Sequence, residues 1–286
     1  MKRIIAMFLG WAISLSPAFA GETIKWGVYD WPPMHIIEGE HKGKGIFDSI
    51  MYHFQKKLPE YTHDTVTANT ARFWSYIKDG ENFIYISSIV TPERLKYAYF
   101  SMPDAIVIAN TVVMRKETAD SLKIADSVSL NSLLKNKELK GGLIADRSYG
   151  KDNDKIIADN MNDANLYFQR VGNLGFSLFQ MLLAKRVDYI VEYSYVAIYF
   201  EEILNKKGET VSIRIEDASP YQLAYVACPR NEWGRRMIDR INTIIKEARP
   251  TEEYRKIMEM WQSEDGKKTI RKAYDEIFMK TAEVNE

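Results

Sequence analysis

Residues 83–103, FIYISSIVTPERLKYAYFSMP, place one arginine between two apolar segments. The segment before it, Phe83–Ile86, is typical of a buried strand, and the segment after it is aromatic. The turn between them contains small hydroxyl residues, a proline and the pair Glu93-Arg94. Arg94 therefore binds either an acid of this chain, such as Glu93 or Asp104, or an anion from outside. On these residues alone the internal ion pair is favoured, because arginines are common at protein surfaces.

Predicted strands alternate with predicted helices along the chain. Apolar runs of strand length occur at 23–28, 66–70, 83–86, 112–114, 141–145, 187–191 and 222–227. Helical spacing and helix-end signals predict helices at 46–58, 71–78, from about 152, 176–185, 196–203, 233–248 and 251–261. The last two helices are expected to close the chain. This alternation is typical of an α/β fold with parallel strands.

Four loops follow predicted strands at the edge where α/β sheets bind their ligands. In open α/β sheets, ligands lie beyond the carboxyl ends of the strands. The loops at that position are 29–34, 87–94, 146–150 and 192–195. Because they come from distant parts of the sequence, one site formed by all four would lie between two α/β halves.

The composition is that of a folded globular protein. Of the 286 residues, 46% are hydrophobic and 27% are charged, and the length allows one large domain or two ordinary ones. Basic and acidic residues number 39 each, so the formal net charge is zero. Nucleic-acid-binding proteins normally carry a basic excess, so no nucleic-acid partner is expected. Cys228 is the only cysteine, which excludes an intrachain disulfide.

The first 20 residues differ in kind from the rest. Lys2 and Arg3 give a positive start, residues 4–15 are almost entirely apolar, and an A-x-A sequence ends the segment at 18–20. This is the layout of a cleaved secretory signal peptide. A membrane anchor is the alternative, but the apolar run is short for a bilayer span. We predict an exported mature chain that begins at Gly21 and is not stably inserted in a membrane.

The stretch around Arg94 resembles a known family. Thr91-Pro92-Glu93-Arg94 followed by Phe100-Ser101-x-Pro103 resembles the T-x-x-R…F-S-x-P stretch of bacterial periplasmic solute-binding proteins of the amino-acid type, family 3. Weaker similarities follow in the family's order: Trp31-Pro32-Pro33, Gly45-x-x-Asp48, Arg186-Val187-Asp188, the strand at 222–227 and a closing helix that ends in Trp261. The similarity extends over about residues 23–262. Asp30-Trp31-Pro32-Pro33 with Tyr61-x-His63 is similar to a less characterised branch of the family.

The resemblance implies a two-lobed α/β fold of the type II periplasmic-binding-protein kind. Each lobe would be a mainly parallel sheet with flanking helices. The first lobe would be discontinuous, 21–108 plus 219–286, and the second would be 109–218. Crossovers near Ile106–Asn110 and Ile213–Ser219 would join the lobes, which would close on ligand by hinge motion.

The resemblance also implies roles for residues on the four loops. Arg94 would pair with a ligand carboxylate through its guanidinium fork, with Ser88 and Thr91 as polar neighbours. Ser148 and Tyr149 would add a second carboxylate contact at a helix start, where backbone N–H groups attract anions. Simpler roles remain open, with Ser148 as a plain N-cap and Thr91 as the cap of the helix after the turn.

Two aromatic residues and one departure from the family pattern concern the rest of the ligand. Tyr29 and Trp31 would cover the ligand's side chain, with core packing as the alternative. Amino-acid binders usually place an aspartate after the second-lobe strand to hold the α-ammonium, and here that position is Tyr193, preceded by Glu192. Either Glu192 takes that role through a one-residue shift, or the ligand has no free α-amine. Glu192 and Tyr195 are also candidates for recognising a hydroxyl or a ring.

The residues and the resemblance together predict a periplasmic protein that binds a small carboxylate-bearing solute, an amino acid or a related polar metabolite, without chemistry. It would be a monomer that delivers the solute to an ABC permease, with no cofactor and no metal. The enzyme alternative is a dehydratase of the cyclohexadienyl/prephenate type on the same fold, with Glu192 or His35 as the acid–base group. A third interpretation is a sensor module that presents its ligand to a membrane receptor.

Overall fold

Two β-sheets with flanking helices organise the chain. The structure is a computed structural model and describes residues 22–124, 126–145, 147–162, 165–170 and 175–282. The predicted signal peptide at 1–20 lies outside the described residues. The first sheet contains, in spatial order, β2 (Thr62–Thr67), β1 (Thr23–Val28), β3 (Phe83–Ser88), β11 (Tyr221–Pro229) and β4 (Ala98–Ile108). The second contains, likewise in order, β6 (Ser127–Val128), β10 (Thr210–Ile215), β5 (Thr111–Arg115), β9 (Tyr189–Glu192), β7 (Gly141–Ile144) and β8 (Leu166–Gln169).

The chain passes between the sheets through two short connections. One joins β4 to β5 at 109–110, and the other joins β10 to β11 at 216–220. Strands β4 and β11 lie side by side and antiparallel, because the chain leaves the first sheet along one and returns along the other. The predicted two-lobed α/β fold is confirmed. The expected lobe limits at 108/109 and 218/219 fall in these connections, and they stay a prediction.

Each sheet mixes parallel and antiparallel pairs. Strand β1 is parallel to β2 and β3, whereas β11 is antiparallel to β3 and β4. In the second sheet β7 is parallel to β8 and β9, whereas β5 is antiparallel to β9 and β10. The antiparallel pairs all involve the strands next to the two connections, β4, β5, β10 and β11. The other strands pair in parallel, as the βαβ pattern of the sequence predicts.

Helices cover the faces of both sheets. Their bounds are α1 (Ile46–Lys57), α2 (Thr70–Lys78), α3 (Lys116–Ser121), α4 (Leu130–Lys135), α5 (Lys151–Asn160), α6 (Phe176–Leu183), α7 (Ser194–Ile203), α8 (Glu232–Ala248), α9 (Glu252–Glu259) and α10 (Glu264–Glu276). Helix α8 buries Trp233, Met237, Ile241 and Ile245 at steps of four residues. Full burial of one such side chain contributes about 1.5–3 kcal/mol, so this stripe fixes α8 on the first sheet. Within the described ranges, no helix is both long and apolar enough to cross a bilayer.

Several elements differ from the expectations, because β4, β6, β8, β10, α3, α4 and α10 were not predicted and β2 lies earlier than expected. Three of them show the reasons. The strand expected at 66–70 is β2 at Thr62–Thr67, an edge strand that pairs with β1 alone and has little apolar signal. Strand β4 was not predicted, because Pro103 interrupts the pattern; in the structure Pro103 lies where the pairing with β11 is irregular. Helix α10 follows the two helices expected to close the chain, and its mostly polar sequence buries only a narrow stripe that includes Ile270 and Tyr274.

An aromatic cluster behind the end of β3 supports the wall of the site. Phe73 of α2 lies between Phe83 and Tyr85, with ring centroids 5.3 and 5.2 Å away. Trp74 of the same helix contacts Tyr85 at 5.2 Å. Helix α2 is held in place at its start by Asn69, whose side chain accepts the N–H of Arg72 at 2.9 Å. The end of β3 and the loop that follows it are therefore packed against α2.

Candidate functional site

A cavity of about 360 Å³ opens between the loops of the two sheets. All four loops selected from the sequence contribute to its wall. The contributing residues from these loops are Tyr29, Trp31, Met34, Ser87, Ser88, Ile89, Arg94, Arg147, Ser148 and Tyr193. Both sheets therefore line one space, whose volume suits a small metabolite.

Arg94 lines this cavity and forms no ion pair within the described ranges. Its Nη1 donates to the carbonyl of Ile89 at 2.7 Å, and its guanidinium carbon lies 4.3 Å from the centre of the Trp74 ring. Asp104, one of the two acids considered as an internal partner, accepts from Ser87 instead. A charged guanidinium is thus held by a carbonyl and a ring face, and no acid among the described residues neutralises it.

The turn before Arg94 is fixed by a buried acid. Ser87 has a left-handed backbone with φ of 50°, and its N–H and Oγ both donate to Oδ2 of Asp104 at 3.0 Å. Asp104 is fully buried, and burial raises its pKa to about 6 while the hydrogen bonds from Ser87 oppose that rise. A non-glycine residue adopts this backbone only where surrounding contacts hold it, and here Asp104 supplies them.

The other two hydroxyl residues predicted in this turn are already engaged. Ser88 lines the cavity, but its Oγ donates to the carbonyl of Tyr225 at 2.8 Å. Thr91 does not line the cavity, and its Oγ1 accepts the N–H of Arg94 at 3.2 Å. Thr91 therefore orders the short 3₁₀ turn that begins at Arg94, as the simpler alternative for it expects.

Aromatic rings from both sheets meet at one side of the cavity. Trp31 is stacked on Tyr29 with centroids 5.5 Å apart, and it also contacts Tyr193 of the second sheet at 5.7 Å. Tyr29 is 7% exposed and Tyr193 is 4% exposed, yet both line the cavity. The two roles considered for Tyr29, core packing and contact with a ligand, are thus compatible.

Arg147 and Glu192 form a buried ion pair beside these rings. Nη1 and Nη2 of Arg147 donate to Oε2 and Oε1 of Glu192, each at 2.7 Å, and Nη2 also donates to Oδ1 of Asn110 at 3.0 Å. The side chain of Arg147 is 11% exposed and that of Glu192 is 2% exposed. Burial lowers the pKa of Arg147, but the charge and hydrogen bonds of Glu192 outweigh it and raise that pKa above its ordinary value. Glu192 itself does not line the cavity.

Ser148 and Tyr149 lie at the start of α5, as expected, but an acid of that helix already occupies their donors. Oγ of Ser148 donates to Oδ2 of Asp154, and the N–H of Tyr149 donates to Oδ1, each at 2.6 Å. Ser148 lines the cavity, whereas the side chain of Tyr149 is buried beneath Arg147 and its hydroxyl accepts the N–H of Ile144 at 2.6 Å. The helix start thus binds its own carboxylate.

Several lining residues were missed by the sequence reasoning. Arg147 is in a loop that the strand-end rule selected, but no role was assigned to it. Tyr85 was assigned to the buried strand, although it also faces the cavity. Gln222, near the start of β11, accepts from the hydroxyl of Tyr193 at 3.4 Å, and a lone polar residue at a strand start gives no signal. Arg170 is an exposed lining residue in a segment for which the sequence predicts no element.

The two residues proposed for acid–base chemistry do not line the cavity. His35 is fully buried, and its Nδ1 is 2.7 Å from Oδ1 of Asp48. Oδ2 of Asp48 accepts the N–H groups of Ile36 and Gly45 at 3.0 Å each, so the pair organises the loop between β1 and α1. In the part of the chain that the structure describes, no cluster of three or more histidine, cysteine or acidic residues is arranged to hold a metal ion.

Comparison with known proteins gives one family and many similar folds. Residues 24–264 match the sequence profile of the bacterial extracellular solute-binding proteins, family 3. No curated protein matches the chain. These findings extend over the same region as the sequence resemblance.

Three solved structures illustrate the similar folds. A putative L-cystine ABC transporter from Listeria monocytogenes has a TM-score of 0.65 at 14% identity, over 85% of this chain and 97% of its own. An ancestral amino acid-binding protein, described as a precursor of cyclohexadienyl dehydratase, gives 0.63 at 19%, over 84% and 95%. A histidine kinase sensor domain with similarity to periplasmic binding proteins gives 0.63 at 15%, over 93% and 98%. At these identities the likeness establishes the fold.

Proposed function

Because this chain belongs to the bacterial extracellular solute-binding proteins, family 3, we propose that it captures a small carboxylate-bearing solute in the cavity between its two lobes. The observation that carries this proposal is Arg94. It lines the cavity, it stays charged at any physiological pH, and none of the described acids pairs with it. A solute carboxylate is the partner that this guanidinium lacks.

Lobe closure is the second part of the proposal. Trp31 of the first lobe contacts Tyr193 and Arg147 of the second, with the guanidinium carbon 5.2 Å from the ring centre. Tyr193 also reaches Gln222 of the first lobe. These contacts cross the cavity beside Arg94, so a solute bound there would touch both lobes and stabilise the closed arrangement through differential contact.

Export and delivery complete the proposal. The sequence pattern at 1–20 supports secretion into the periplasm, and the family consists of extracellular binding proteins. Two similar folds are described as parts of amino-acid ABC transporters. We therefore infer that an ABC permease is the partner that receives the solute.

The two alternatives have weaker support in the site. A dehydratase needs an acid–base group that reaches the solute, but His35 is buried on Asp48 and Glu192 is held by Arg147. The similarity to a dehydratase precursor and to a sensor domain supports the shared fold only. Solute binding is the role that best matches the geometry of the site.

The test is a thermal-shift screen of the mature protein against carboxylate-bearing metabolites, including amino acids, dicarboxylates and aromatic acids. A solute at 100 times its Kd is expected to stabilise the protein by about 2.7 kcal/mol. In the Arg94→Ala variant this shift should disappear, because the carboxylate loses its cation.

The matched control is Arg72→Ala. Arg72 is an exposed arginine of the same lobe, it stacks on Tyr76 at 4.5 Å, and it does not line the cavity. Its removal should leave the shift intact. If no carboxylate stabilises the protein, or if both variants retain the same shift, the proposal fails. Product formation from prephenate would favour the dehydratase instead.

A further inference from the structure

The acid placed to receive an ammonium group is already engaged through both of its oxygens. Oε1 of Glu192 accepts from Nη2 of Arg147 at 2.7 Å and from the N–H of Tyr193 at 2.9 Å, and Oε2 accepts from Nη1 at 2.7 Å. Gly175 lies close to Oε2, since a methyl group added at its Cα would come within 2.9 Å of that oxygen. The one-residue shift that would bring Glu192 to a ligand amine is therefore not present, and its charge is neutralised internally.

Tyr193, which stands at the ammonium-binding position of the resemblance, offers no anion in its place. Its side chain is buried, and burial raises the pKa of its phenol, so the hydroxyl is neutral. That hydroxyl donates to Oε1 of Gln222 at 3.4 Å. Gln222 is thus occupied as an acceptor, and it is an uncharged one.

The charges on the described wall of the cavity are all positive. Arg94, Arg147 and Arg170 are the charged lining residues in the described ranges. Arg147 is neutralised by Glu192 and Arg170 is exposed, which leaves Arg94 as the partly buried cation of the described wall without an acid partner. An ammonium group brought into this space would lose its water without gaining a free carboxylate from the described part of the wall, which is costly.

The aromatic rings do not replace the missing acid. The faces of Trp31 and Tyr193 are partly covered by the guanidinium of Arg147, whose carbon lies 5.2 and 5.1 Å from their centres. Because Arg147 already occupies these faces, a second cation could not take its place there, so a cation–π cage for an amine is disfavoured. The rings remain suitable for an apolar or planar part of a ligand.

We propose that the cavity selects a carboxylic acid without an ammonium group and excludes the α-amino acid of the same skeleton. This inference rests on the proposed function, since it specifies the solute of the same site. The carboxylate pairs with Arg94, and an apolar or ring-bearing body lies against Tyr29, Trp31 and Tyr85. The absence of a free acid on the described wall sets the preference.

The experiment compares ligand pairs that differ only in the α-ammonium group: 3-phenylpropionate with phenylalanine, 3-indolepropionate with tryptophan, and glutarate with glutamate. Binding to the mature protein is measured by calorimetry. In at least one pair the amine-free acid should bind more than about tenfold tighter, because an unpaired ammonium carries the full desolvation penalty. An amino acid that binds as tightly as its amine-free partner, with binding lost in Arg94→Ala, overturns this inference and leaves the carboxylate site intact. No binding by either member of any pair overturns this inference, whereas the proposed function fails only if the wider screen also finds no carboxylate ligand.

The Gln222→Glu variant tests the cause of the preference. It is isosteric, and it adds an acid to the wall while Tyr193 can still donate to it. The preference for the amine-free acid should fall by about tenfold or more, as the acid repels the carboxylate and attracts the ammonium. Gln222→Met, which removes the acceptor without adding charge, is the control and should retain the preference. An unchanged preference in Gln222→Glu would mean that charge does not exclude the amine, and the proposal would be wrong.

Discussion

Each of the two walls of the cavity carries an arginine, but the two arginines differ in whether an acid of this chain pairs with them. In the second lobe, Arg147 is 11% exposed and is held by both oxygens of Glu192. In the first lobe, Arg94 has no acid partner among the described residues, and the nearby buried acid, Asp104, accepts from Ser87 instead. An arginine in a cleft is therefore a ligand-binding candidate only if the nearby carboxylates pair with other groups. Under the proposed function, the first wall keeps its cation for a solute, whereas the second pairs its cation with Glu192 inside the protein.

The largest effect is expected from breaking the pair in the second wall. Glu192→Gln leaves the charge of Arg147 buried with a neutral partner, and we expect a loss of about 3–5 kcal/mol in the free energy of unfolding. Urea denaturation of the ligand-free protein measures it. Glu209→Gln is the control, because Glu209 pairs with Lys206 at 2.9 Å and both side chains are 48% exposed. Its unfolding midpoint should hardly change, since exposed pairs contribute little. Equal behaviour of the two variants would mean that Arg147 is solvated in solution.

The buried acid of the first wall should make stability depend on pH. Because burial raises the pKa of Asp104 from 3.8 to about 6, the folded state binds a proton more readily than the unfolded state. Asp104 therefore stabilises the folded protein increasingly as pH falls from about 7 to 4. The gain in the free energy of unfolding is about 3 kcal/mol, because each pH unit between the unfolded pKa of 3.8 and the folded pKa of about 6 contributes about 1.4 kcal/mol.

The Asp104→Asn variant isolates this contribution. Its amide oxygen can still accept from Ser87, but it does not titrate, so unfolding free energy between pH 4 and 7 should vary less than in the parent protein. The difference between the two pH profiles is the measured quantity. Superimposable profiles would contradict the raised pKa and would remove the contrast with Glu192, whose charge is compensated by Arg147.

A glycine contact tests how firmly Glu192 is held. Gly175 and Gly208 both have left-handed backbones, with φ of 86° and 82°, but only at Gly175 would an added methyl group meet Oε2 of Glu192. Gly208→Ala should cost about 1 kcal/mol for the backbone alone. Gly175→Ala should cost about 1–2 kcal/mol more, because Glu192 cannot move without losing Arg147. Equal losses in urea denaturation would indicate that the carboxylate shifts freely.

The sequence predicted the strand-end loops better than it predicted the second wall. For Arg94 the residues alone favoured an internal ion pair, and only the family resemblance pointed to a ligand. The turn at 87–94 is continuous in sequence, so its hydroxyl residues and Arg94 could be assigned together. Arg147 and Glu192 both lie on predicted strand-end loops, but they are 45 residues apart. No local sequence pattern indicates that they form an ion pair with each other. The bond between Ser148 and Asp154 spans six residues at a helix start and was within reach of capping rules.

The same limit explains the misassigned elements. Strand β2 lies at the edge of its sheet and pairs only with β1, so its side chains carry a weak apolar pattern, and the predicted strand started too late. Helix α10 contacts the core through a stripe of few residues, and its charged remainder hid the periodicity. Both elements are defined by neighbours distant in sequence, whereas α8 is defined by its own apolar face.

The smallest expected effect concerns Arg94 in the ligand-free protein. Arg94→Ala removes one bond to the carbonyl of Ile89 and the stacking on Trp74, and neither compensates a buried opposite charge. We expect a loss of no more than about 1 kcal/mol, the scale of a partly exposed cation–π contact. Arg94→Lys keeps the charge but lacks the guanidinium fork, and its stability in urea should equal that of Arg94→Ala. A loss as large as that of Glu192→Gln would mean that Arg94 is a structural cation like Arg147, and the two walls would then be alike. A small loss together with lost solute binding is the combination that only a cation reserved for a ligand produces.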